Sequence, residues 1–353
     1  MVNLKELFID RKSYLSNMIS GLKSGKDYIL IAPRRYGKTT LAQKVLNEIS
    51  QDNSFLVIQI DFMRYSNSIE SVAEAIIENC LNSLGFMGRL KLWLNQVDFS
   101  LKLKVKYSDL EIEPILQSIK SKKAPEVLLE QALNLIEKIA IKTNKTVIMF
   151  FDEFGELQKI GEQVIRTFRS VLQTHKQANY LFAGSQETLM QNIFMDKEGA
   201  FYRFGELIFV KEFDRGEVIE ILSGEMNLDF DVIEAILNLF KCHPYYTSRI
   251  IKDIKVLPKI VSSLSNFMDY ISTTLIPSEM AYIELQRDIL SQKAHALDII
   301  ISLSMNQDLG ALNVHRQSIH RTLKNLELAG FIIRDTNGKY AVADPLINLY
   351  FSN

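Results

Sequence analysis

The residues best suited to chemistry stand together at Ala32-Pro33-Arg34-Arg35-Tyr36-Gly37-Lys38-Thr39-Thr40. An apolar run, Tyr28–Ile31, leads into them. A helical pattern with Leu41, Val45, Leu46 and Ile49 apolar follows from Lys38 to Ser50. In a strand–loop–helix of this kind, G-x-x-x-x-G-K-[ST] cradles a phosphate with backbone N–H groups and a helix N-terminus. The lysine reaches the β- and γ-oxygens and the hydroxyl binds Mg²⁺. Gly37, Lys38 and Thr39 are in register with that pattern. Ala32 occupies the first glycine position, which alanine fills without strain only where φ is negative.

Such a loop needs an acidic partner at the end of an apolar strand. Thr146–Phe151 followed by Asp152-Glu153 supplies it. Asp152 is placed to hold Mg²⁺ through Thr39 or water, and Glu153 to orient and deprotonate an attacking water. Another strand pattern, Asn179–Ala183, ends at Gly184-Ser185-Gln186. Ser185 there could sense a γ-phosphate or simply cap a helix. Elsewhere the chemistry is sparse. The histidines at 175, 243, 295, 315 and 320 lack metal-ligand spacing, Cys80 lies on an apolar helical stripe, and Trp93 reads as core.

The elements that must position these groups alternate between strand and helix. Strand-like runs occur at Tyr28–Ala32, Phe55–Asp61, Thr146–Phe151, Asn179–Ala183 and Leu207–Val210, with amphipathic stretches such as Ile69–Leu84 between them. Continuous apolar strands separated by helices predict a parallel sheet covered on both faces, an α/β domain. Period-2 alternation from Phe99 to Tyr107, with Lys102, Lys104 and Lys106 on one face, predicts an inserted hairpin near 95–115 whose lysines face solvent or protect an edge, contact with phosphates being the alternative. After Phe213 helices are expected at about Arg215–Ser223, Asp231–Lys241, Tyr245–Lys255 and Ser263–Leu275. The tail reads helix, helix, hairpin, with Ala294–Ser304, Arg316–Leu328 and a two-residue turn at Asn337-Gly338. That is the order of a winged helix.

Composition excludes other classes. The 353 residues are 47% hydrophobic and 24% charged, with only 15 Gly and 7 Pro, so disorder over most of the length and collagen-like structure are ruled out. Two cysteines make no disulfide framework, and the charged start lacks an apolar signal core, which predicts a cytoplasmic protein without a membrane span. The formal net charge of −1 leaves any attraction to nucleic acid local. Arg316, Arg321, Lys324, Arg334 and Lys339 make the tail locally basic.

The loop P-R-R-Y-G-K-T-T-L, the strand end D-E-F, Phe201–Gly205 and His243-Pro244-Tyr245-Tyr246-Thr247 resemble the archaeal-type ATPases of the AAA+/STAND group of P-loop NTPases. Phe8–Lys12 is similar to that family's adenine-side box, and Tyr340–Pro345 to the end of its winged-helix domain. The resemblance runs from about Leu7 to Tyr350 and departs at Ala32 and at Cys242, where a glycine is usual. It implies an ASCE/AAA+-like parallel sheet in residues 1–212, a helical lid in 213–280 and a C-terminal winged helix in 281–353. ATP and Mg²⁺ are the implied cofactors. Asp10, Arg11, Pro33, Arg34, Arg35, Tyr36, Gly37, Lys38, Thr39, Thr40 and Pro244 would bind nucleotide, with Thr39 and Asp152 toward the metal. Glu153, Ser185 and Arg203 would be catalytic, Arg203 meeting the γ-phosphate, often that of a neighbouring subunit. For Arg34 and Arg35 an acidic neighbour is as good a partner as phosphate, and for Arg203 a structural ion pair. The function so implied is an ATP-hydrolysing conformational switch. A nucleotide-gated binder of duplex DNA through the winged helix and a slowly hydrolysing signalling scaffold remain as alternatives, as do a homo-oligomer and a protein partner.

Overall fold

A computed structural model describes residues 11–85, 124–185, 187–334 and 338–352. The expected hairpin near 95–115, Trp93, Asp10 and Asn337 lie outside these residues. The chain divides into two compact units. One comprises Ser13–Ala32 and Lys38–Val210; the other contains Pro33–Gly37 and everything described from Lys211 onward, together with residues 11 and 12.

The first unit is built on a five-stranded parallel sheet. Its strands are β1 (Tyr28–Ile31), β2 (Phe55–Asp61), β3 (Thr146–Asp152), β4 (Ala178–Gly184) and β5 (Glu206–Phe209), in the order β2-β3-β4-β1-β5. Every pairing is parallel. β1 and β4 are buried along their whole length, as continuous apolar runs covered on both faces require. Helices Ile69–Ser83 and Pro125–Thr143 pack against each other, and Lys38–Ser50 buries Leu41, Val45, Leu46 and Ile49, the predicted stripe. Cys80 is buried in this core.

Aromatic packing fixes the end of β3. The Phe151 ring lies 5.5 Å from both Phe62 and Phe182, and the Phe154 ring 4.9 Å from Phe182. Each such side chain contributes about 1.5–3 kcal/mol on burial. Phe151 and Phe154 are both fully buried, so the chain must turn within the two residues between them. It does so through Glu153, whose φ of 51° is left-handed.

The second unit is helical, with one apolar core that includes Phe240, Tyr246, Phe267, Ile299, Ile332 and Leu346. Its longer helices are Phe230–Phe240, Pro244–Val256, Met280–Ser291, Ala296–Ser304 and Arg316–Leu328. Pro244 occupies the first helical turn, where a missing N–H costs nothing. Helix Met280–Ser291 was not expected from the pattern, because it buries only Ile283 and Leu290 and so carries a thin apolar stripe. Strands β6 (Ile332–Arg334) and β7 (Tyr340–Val342) pair antiparallel before a last helix, Pro345–Ser352. Ile332 stands opposite Val342, both buried, and Arg334 pairs with Tyr340 and donates to its Oη at 2.6 Å. The Asn337 half of the expected turn lies outside the described residues.

Candidate functional site

In the sheet unit the C-terminal ends of β1, β3 and β4 present the predicted side chains. Lys38 is 5% exposed, and its Nζ donates to the carbonyl of Ala32 at 2.8 Å, so the ammonium folds back along the loop. Ala32 itself is absent from the residues with positive φ, so the missing first glycine introduces no strain. Thr39 Oγ1 donates to Asp152 Oδ2 at 2.9 Å. Burial pushes the Asp152 carboxyl above its ordinary value; the Thr39 hydrogen bond opposes this, and the nearby charges of Glu153 and Asp61 reinforce it. A hydroxyl and a half-satisfied carboxylate at this distance form a donor set suited to a hard divalent cation. Mg²⁺ ordinarily takes one or two such oxygens and completes its shell with water and phosphate. Among the described residues no three His, Cys, Asp or Glu side chains gather into a fuller cage.

Glu153 and Ser185 meet. Glu153 Oε2 accepts from the Ser185 hydroxyl at 2.8 Å and from its backbone N–H at 3.0 Å. The end of β4 therefore aims the carboxylate that leaves β3 in a left-handed turn. Asp61, at the end of β2, pairs in register with Asp152 and adds a third carboxylate to this edge of the sheet. Sequence reasoning passed over it, although it ends an apolar run just as Asp152 does.

The middle of the loop is held by residues of the second unit. Gly37 has φ +77°, a left-handed backbone that favours glycine, and a Cβ there would lie 2.8 Å from Arg11 Nη1 and displace the guanidinium. Arg11 is buried; it donates to the carbonyls of Tyr36 at 2.7 Å and of Gly37 and Lys211 at 3.3 Å. Tyr36 donates to Glu212 at 3.0 Å and packs edge-on to His243, 4.7 Å between centroids. Burial lowers the His243 pKa to about 4, so the ring is neutral. Arg35 engages Glu279 at 3.0 Å and the Tyr246 hydroxyl at 2.9 Å, the acidic neighbour rather than open loop space.

Of the other loop residues, Arg34 and Thr40 are exposed and Pro33 half-buried. Pro244 begins its helix beside His243. Cys242 has φ 56°, which accounts for the glycine usual at that position in the family it resembles. Arg203 is exposed in a left-handed turn before β5, its guanidinium 5.2 Å from the Tyr202 ring. In the tail Arg316, Arg321 and Lys324 are exposed, whereas Arg334 is paired with Glu327 at 3.0 Å.

A parallel sheet in this order, a Gly37-Lys38-Thr39 loop between β1 and its helix, and an acidic pair ending β3 together define the α/β P-loop NTPase fold. Solved structures agree. A Walker-type ATPase of Pyrococcus abyssi superposes with a TM-score of 0.69 at 18% identity, covering 99% of this chain and 97% of the other. The ORC2 protein of Aeropyrum pernix, in its ADPNP-ADP complexes, gives 0.52 at 12% identity, covering 99% and 96%. At these identities the likeness is one of fold. No family model and no curated protein matches the chain. Among the described residues no helix is long and apolar enough to cross a membrane.

Proposed function

We propose that this protein is a Mg²⁺-dependent ATPase of the AAA+/STAND type that uses hydrolysis as a conformational switch. The observation that carries the reading is the pair of contacts at one edge of the sheet, Thr39 to Asp152 and Ser185 to Glu153, beside the buried Lys38. Lys38 binds the β- and γ-phosphates by exchanging its contact with the Ala32 carbonyl for phosphate oxygens. Thr39 and Asp152 hold the cation, which supplies charge neutralisation at the phosphates. Glu153, aimed by Ser185, orients water and takes its proton. Adenine is the preferred base because the fold is shared with a protein solved with ADPNP and ADP. Residues 213–280 serve as a lid and 281–353 as a winged helix that passes the nucleotide state outward. The exposed Arg316, Arg321 and Lys324 favour an acidic partner, duplex DNA included, as its target.

Lys38→Ala tests the phosphate assignment. Titration calorimetry with Mg-ATP is expected to show at least a hundredfold weaker binding, while circular dichroism stays unchanged. Equal affinity in the variant would remove the assignment.

A further inference from the structure

Arg35 sits in the phosphate loop with φ +66°, a left-handed backbone that a residue with a Cβ keeps only when its surroundings hold it. Three side chains of the same unit, from two helices, hold this one. The guanidinium donates to Glu279 Oε2 at 3.0 Å and to Tyr246 Oη at 2.9 Å, and it lies 3.4 Å from the centroid of the Tyr282 ring. Glu279 is buried and further satisfied by Tyr245 Oη at 2.5 Å and Arg249 Nη1 at 2.7 Å. Behind Arg35 stands Asp344. It accepts from Tyr246 Oη at 2.9 Å and from Tyr282 Oη at 2.9 Å. Burial, with the Asp344 charge beside them, pushes both phenols far above their ordinary range, so they remain protonated donors. Asp344 is itself fixed, because Oδ1 caps the last helix by accepting from the N–H groups of Leu346 at 2.9 Å and Ile347 at 3.3 Å. It lies two residues past β7, next to Ala343, whose N–H donates to the Phe331 carbonyl at 2.9 Å, so its place is set by the C-terminal hairpin.

We propose that Asp344 is a positioning residue for the phosphate loop. Through Tyr246 and Tyr282 it fixes the Arg35 guanidinium, and with it the loop backbone from Arg35 to Gly37. Nucleotide affinity is thereby set in part by the C-terminal hairpin. The statement about affinity rests on the ATPase reading; the statement about loop order does not. A ligand that shifts the hairpin shifts Asp344, releases the two phenols and loosens the loop. A nucleotide that orders the loop favours the docked hairpin in return, as linkage requires.

Hydrogen exchange on nucleotide-free protein decides it. The variants are Tyr246→Phe with Tyr282→Phe, which delete two hydroxyls and keep both rings around Arg35, and Asp344→Asn, which keeps an acceptor for the helix cap. Exchange in the peptide covering residues 33–41 is expected to rise about tenfold in the double variant and less in Asp344→Asn, with the β3 peptide unchanged. In parallel the Kd for Mg-ATP should rise about five- to thirtyfold, the equivalent of one or two hydrogen bonds. Unchanged loop exchange would overturn the proposal, and so would a rise shared equally by β3, which signals general destabilisation. A wild-type chain that fails to bind Mg-ATP would remove the ATPase reading and leave the exchange result to judge the positioning role.

Discussion

Asp152 and Glu279 are both buried carboxylates, and the two units of the molecule treat them differently. At the end of β3, Asp152 and Glu153 receive hydrogen bonds from neutral donors, namely the hydroxyls of Thr39 and Ser185 and the backbone N–H groups of Glu153 and Ser185. In the C-terminal unit, Glu279 is met by two guanidiniums and a phenol, and Asp344 by two phenols and two helix N–H groups. The second group is satisfied from within the chain and holds structure together. The first keeps its negative charge under-compensated in a buried setting, which raises the Asp152 carboxyl and suits it to an incoming cation. Burial alone therefore does not separate Asp152 from Glu279; the charge of their partners does, hydroxyl and backbone N–H for the one and two guanidiniums for the other.

The contrast makes opposite predictions for stability. Glu279→Gln leaves Arg35 and Arg249 facing an amide, and urea unfolding should show a loss of about 3 kcal/mol. A change below about 1 kcal/mol would erase the distinction drawn here. Asp152→Asn should do the reverse and stabilise the fold at pH 7, by on the order of 1 kcal/mol, as expected when a strained functional group is relieved. The sign follows from the raised folded-state pKa. The native Asp152 binds its proton more tightly than the unfolded chain does, so its stabilisation is complete below the ordinary value near 3.8 and is lost as pH rises through the raised one. The advantage of Asn should therefore be present at neutral pH and fade in acid. An advantage independent of pH would show that side-chain shape, not charge, is responsible.

Much of the sheet-edge site was legible because each of its parts is local. A strand, a Gly-Lys-Thr turn and a helix are contiguous in the chain, and an acidic pair closing an apolar strand announces itself by composition. The Arg35 cluster was not legible in the same way. Its partners Tyr246, Glu279, Tyr282 and Asp344 are spread over the C-terminal half, and no spacing rule connects them to the loop. Arg11, which the family resemblance assigns to an adenine-side box, donates to three backbone carbonyls far from it in sequence, those of Tyr36, Gly37 and Lys211. Helix Met280–Ser291 escaped because it buries few apolar side chains.

The central claim is that the carboxylate aimed by Ser185 activates water for attack on ATP. The most direct measurement is phosphate release from Mg-ATP by the full chain and by Glu153→Gln, with binding of the same nucleotide followed in each. An amide can orient water but cannot take its proton. Release is therefore expected to slow by about 10²–10⁴-fold with affinity within about threefold of the parent chain. Turnover at the parental rate in Glu153→Gln would contradict it.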